Sequence, residues 1–78
     1  MENLLLTIRK AMEYHRRIRI IYEKDGAFTE RTIRPYQLKD NELHAYCYMR
    51  SSKRRFRLEN IIGAVMLPED EKGQEDKK

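Results

Sequence analysis

The residues with the most chemistry in this 78-residue chain fall in one stretch, from His44 to Arg57. His44, Tyr46, Tyr48 and Arg50 alternate along ELHAYCYMR, and Arg54, Arg55 and Arg57 follow within KRRFRL. At the two-residue period of a strand, the first four share one face, and Leu43, Ala45, Cys47 and Met49 share the other. Guanidinium groups hold phosphate through paired hydrogen bonds, and phenol rings stack on bases that are not already stacked in a duplex. The pattern therefore suits single-stranded nucleic acid or a nucleotide. A second reading fits the same residues: tyrosines and arginines are good strand formers that pair across a partly covered sheet face.

Other chemistry finds little support. His44 and Cys47 are three apart in a strand, so their side chains point to opposite faces and cannot form a nucleophile–base pair. Cys47 reads as a small buried hydrophobe, and His15 as a cation at a helix end. One cysteine and two separated histidines match no metal-ligand spacing, and three glycines form no phosphate-cradling loop. The expectation is a non-enzymatic protein that needs no metal and no cofactor.

Composition points the same way. Lys and Arg number 17 against 13 Asp and Glu, a net charge of +4, and the pI is near 9.4. Of these, three basic and five acidic residues fall in residues 68–78 (PEDEKGQEDKK), which leaves 14 basic against 8 acidic in residues 1–67. A basic body favours polyanionic partners. Residues 68–78 offer no apolar side chain beyond the leading proline and read as a disordered charged tail. Such a tail either solubilises the chain or lies on the basic face and competes with a polyanion. A single cysteine fits a reducing compartment, and no apolar run approaches the roughly 20 residues of a membrane span. A cytoplasmic address without membrane contact is expected.

The elements that must position the basic and aromatic residues are legible from periodicity. Residues 2–15 form an amphipathic helix, with Leu4, Ile8, Ala11, Met12 and His15 on one stripe and Leu5 widening it. From residue 17 the period becomes two. Ile18, Ile20 and Tyr22 alternate with Arg17, Arg19 and Glu23, and Asp25-Gly26 supplies a hairpin turn. FTERTIR makes a second strand, Pro35 marks an edge or bend, and Lys39-Asp40-Asn41 turns the chain again. ELHAYCYMR is the third strand, turning at Ser51-Ser52 into KRRFRL. There Phe56 and Leu58 face inward with Arg54 on their side, and Lys53, Arg55 and Arg57 lie opposite. After Glu59 and Asn60, IIGAVML closes the sheet. The fold class is mainly β with one N-terminal α-helix, a small five-stranded barrel over residues 17–67 in a single domain of residues 1–67.

With these residues in place, the stretch from Ile18 through Leu67 resembles the WYL domain. The matching features are Tyr22, Gly26, then Arg31 and Pro35 in ERTIRP, Leu38, and Ala45-Tyr46-Cys47 with Arg50 three residues on. The most specific piece is Arg54, Phe56, Arg57 and Leu58 with Ile61 following. The chain departs from the family at Asn41-Glu42-Leu43, where Trp-Tyr-Leu is usual, and at Asn60, where arginine is usual before the last isoleucine. Glu42 thus puts a carboxylate where a ring is common.

The resemblance implies an Sm-like or SH3-like barrel, a bacterial sensor module that commonly stands behind a helix-turn-helix in transcription regulators and phage-defence systems. It also implies nucleic-acid or nucleotide ligands held by basic residues, here Arg50, Arg54 and Arg57 with Tyr46 as a nearby ring. One helix before the barrel is too little for a helix-turn-helix, so a stand-alone WYL-like module is expected. The rival expectation is a protein-interaction or oligomerisation module, a homo-oligomer or an accessory to a regulator protein.

Overall fold

The computed structural model describes residues 3–68. The charged tail expected at 68–78 therefore lies, apart from Pro68, outside the described residues. The helix, α1, runs from Asn3 to Tyr14. Ile8 and Ala11 are fully buried and Leu4 and Met12 pack beside them, but Leu5 is exposed, so the apolar stripe is narrower than the sequence suggested. At its C-terminus the Arg16 N–H donates to the Ala11 carbonyl (2.9 Å) and the His15 N–H to the Met12 carbonyl (3.4 Å). This is a Schellman cap, whose left-handed position glycine usually fills. Here His15 fills it, at φ 55°.

Five strands follow: β1 (Ile18–Lys24), β2 (Ala27–Lys39), β3 (Glu42–Cys47), β4 (Ser52–Arg57) and β5 (Ile61–Met66). Two of the turns are two-residue loops with both residues at positive φ. Asp25-Gly26 (53° and 82°) joins β1 to β2 and Asp40-Asn41 (52° and 64°) joins β2 to β3. This geometry matches the right-handed twist of hairpin strands, and Asp, Asn and Gly tolerate it. The third turn differs from expectation. It spans Tyr48 to Ser51, closed by the Ser51 N–H on the Tyr48 carbonyl at 3.3 Å, with only Ser51 at positive φ. A two-residue Ser-Ser loop would put two serines at positive φ, whereas this longer loop needs one. The third strand thus ends at Cys47 rather than Arg50.

All strand pairs are antiparallel, in the order β4-β3-β2-β1-β5. Ile18, Ile20, Ile33, Leu43, Ala45, Cys47, Phe56 and Ile61 line one side and form the core with Ile8 and Ala11 of α1. The expected closure does not occur: β4 and β5 are the two edges, joined by a 3-10 turn at Leu58–Asn60, and do not pair with each other. A side chain fills the gap instead. The Tyr22 ring meets Phe56 edge-on (centroids 5.2 Å apart, 76°), and its hydroxyl accepts the Arg57 N–H at 3.2 Å. One helix and five antiparallel strands in a bent, half-open sheet are consistent with an Sm-like fold.

Candidate nucleic-acid interface

The outward face of β2, β3 and β4 carries the basic and aromatic side chains in cross-strand rows. Arg34, Tyr46 and Lys53 form one row, Gln37, His44 and Arg55 the next, and Lys39, Glu42 and Arg57 a third. Residues opposite each other in an antiparallel pair have Cβ atoms roughly 5 Å apart, so the members of each row are neighbours across the sheet. The β2 strand adds one residue to this face by a bulge between Pro35 and Gln37. Pro35 has no N–H to give the ladder, and bulges are where a sheet accommodates that loss. Its consequence is that Tyr36 and Gln37 both stand exposed, and the Tyr36 ring reaches the middle row, 6.4 Å from the His44 ring at 81°.

Around Tyr36 lies a cleft of about 500 Å³ whose other walls are His44, Lys53, Arg54 and Arg55. The Lys53 ammonium sits 5.7 Å from the Tyr36 ring centroid, within cation–π range. Arg54 pairs with Ala45 on the core side of the pleat and is half-buried, yet it lines the same cleft as its two neighbours. It can do so because β4 is an edge strand, with no further strand to block the way around. The β4 register is regular, so no bulge is involved. Three cations from consecutive positions thus converge beside two rings. Among the described residues no carboxylate pairs with Lys53, Arg54 or Arg55; the nearest acid in the rows, Glu42, lies 3.7 Å from His44 Nε2.

Arg57 has a different setting. Its Nη2 lies 3.2 Å from Glu59 Oε2 and its Nε donates to the same oxygen at 3.3 Å. It lines a separate cleft of about 440 Å³ with Asp40, Glu42 and Glu59. Three carboxylates around one guanidinium repel an incoming phosphate. Arg50 is exposed in the third turn and lines neither cleft. Tyr48 lies just past the end of β3, its ring 5.2 Å from that of Tyr46 at 77°, with the Arg17 guanidinium 6.0 Å above it.

Of the seven residues that sequence singled out, His44, Arg54 and Arg55 meet in the basic cleft and Tyr46 adjoins it in the row of Lys53. Tyr48 is displaced toward the helix, Arg50 is set apart, and Arg57 is engaged by acid. Sequence reasoning missed Arg34 and Tyr36 as members of this face; it placed Lys53 on the face with Arg55 and Arg57 but did not count it among the site residues. The signal was present in the alternation: period two counted from the apolar Ile33 puts Arg34 and Tyr36 on the outer face, and the structure buries Ile33 and Pro35 accordingly. His44 and Cys47 project to opposite sides, Cys47 into the core.

A family model of the WYL domain matches residues 3–66. Among solved structures, proteasome accessory factor B/C (PafBC) of Arthrobacter aurescens is similar, with a TM-score of 0.73 and 25% identity over 83% of this chain. The similarity covers 11% of the PafBC chain, so the present chain corresponds to about a tenth of that protein. No curated protein matches.

Proposed function

The chain belongs to the WYL-domain family, and from that premise we propose that it is a non-enzymatic regulatory module that binds single-stranded nucleic acid or a nucleotide. The observation that carries this reading is the convergence of Lys53, Arg54 and Arg55 on a cleft walled by Tyr36 and His44, with no carboxylate among the described residues paired to the three cations. Phosphate accepts charge-assisted hydrogen bonds from the arginines, and an unpaired base stacks on Tyr36, which is half exposed. A duplex keeps its base faces covered and meets only the cations.

Fluorescence anisotropy with labelled single-stranded RNA, single-stranded DNA and duplex DNA at two salt concentrations tests this. Single strands should bind more tightly than duplex, with log affinity falling by about 0.7 per phosphate neutralised for each decade of salt. Equal binding to all three, lost together as salt rises, would reduce the face to bulk charge.

A second reading draws on the unpaired edges of β4 and β5 and on exposed Ile62 and Val65 in β5. Strand edges recruit further strands, so the module also suits association with a second copy or a regulator protein. Light scattering separates the two: a salt-insensitive oligomer that ignores oligonucleotides favours association.

A further inference from the structure

Beside the basic cleft, on the helix side, lies a second cleft of about 470 Å³, inside the range of roughly 300–1,000 Å³ typical of small-ligand sites. Met12 and His15 at the end of α1 form one wall, and Arg34, Tyr36, Tyr46 and Tyr48 form the other, over the buried Pro35. Its character differs from that of its neighbour, being aromatic with one guanidinium rather than cationic. The two clefts share Tyr36. The Tyr46 and Tyr48 rings stand nearly perpendicular, 5.2 Å apart at 77°, so they make a corner with one ring face and one ring edge. Such a corner suits a flat heteroaromatic ring, stacked on one tyrosine and edge-on to the other.

His15 supplies an independent observation. It occupies the left-handed position of the helix cap at φ 55°, where a side chain other than glycine is strained. Glycine would cap this helix with less strain, but only a side chain gives the cleft its outer wall.

We propose that this cleft holds one nucleobase and that the ligand unit of the module is a phosphorylated nucleotide. The base sits against Tyr46, Tyr48 and His15, and the phosphate lies across Tyr36 among Lys53, Arg54 and Arg55. The inference rests on the nucleotide-binding reading above and adds a base position in this second cleft, next to the stacking surface that Tyr36 offers in the first. A free mononucleotide and the terminal nucleotide of a strand present this same chemistry.

Calorimetric titration of the full chain with adenosine, inorganic phosphate, adenosine 5′-monophosphate and a ten-residue single-stranded DNA tests the assignment. The monophosphate should bind more tightly than adenosine or phosphate alone. If both it and the DNA bind, the site accepts the unit from either source, and if only the DNA binds, from strand ends. His15→Gly should raise the melting temperature by about 2–6 °C through relief of the strained cap while weakening the nucleotide ligands. Tyr48→Ala should weaken them by about 5- to 150-fold, the loss of one stacked base, and Tyr48→Phe should restore them. If DNA binds and depends on Lys53 and Arg55 while His15→Gly and Tyr48→Ala leave its affinity unchanged, the base pocket is wrong and the basic face stands. If nothing binds to the unsubstituted chain, both fall.

Discussion

Arg55 and Arg57 sit two residues apart on the same strand and face the same way, yet they belong to opposite electrostatic settings. Arg55 opens onto a cleft with Lys53, Arg54 and two rings, whereas Arg57 lies among Asp40, Glu42 and Glu59 and is tied to the last. An arginine recruits phosphate only where its neighbours leave its charge uncompensated. Residue type and motif position do not carry that information; the acids brought up by the β2–β3 turn and the 3-10 turn do.

The contrast can be broken most directly at its strong end. Lys53→Ala with Arg55→Ala should remove two hydrogen bonds to charge, each worth about 1.5–3 kcal/mol, and lower the salt slope by about 1.4 for single strands. An unchanged slope in anisotropy titrations would take these residues out of the interface. Tyr36→Ala comes next, with a loss of about 1–3 kcal/mol for single strands and little for duplex DNA. If both lose equally, the ring supports the sheet rather than a base. Glu42→Gln should tighten binding by about 0.2–1 kcal/mol, since it removes the carboxylate beside His44. The smallest effect belongs to Arg57→Ala, expected to leave affinity within about twofold and the slope unaltered. A flattened slope there would show that Glu59 releases its partner on binding and would erase the contrast.

How the two arginines part company also shows what sequence can and cannot convey. Alternation was enough to find the faces: the core residues Leu43, Ala45, Cys47 and Phe56 are where period two puts them. Turn chemistry identified both two-residue hairpins. The third turn carried the error. Had β3 and β4 joined at Ser51-Ser52, Arg57 would stand opposite Tyr46. With the four-residue turn, Tyr46 faces Lys53 and Arg57 faces Glu42. A local preference among serine loops, small in energy, thus decides which cation meets the rings. Gln37 was hard to read for a related reason, because the bulge that puts it beside Tyr36 on the outer face follows from the pairing of Pro35 with Ala45, a partner ten residues away.

Closure of the barrel was the other expectation that failed, and Tyr22 explains what stands in its place. A ladder would anchor β4 on both sides; here its far side is held by one phenol, through the Arg57 N–H and the Phe56 ring. The strand bearing the cations is thus the one least fastened to the rest of the sheet. Amides of β4 should exchange with deuterium faster than those of β1 and β2, and Tyr22→Phe should quicken Arg57 most. A ligand that gathers Lys53, Arg54 and Arg55 against Tyr36 would fasten the loose strand to β2, so occupancy would be felt as stiffness at an edge where another chain could otherwise join.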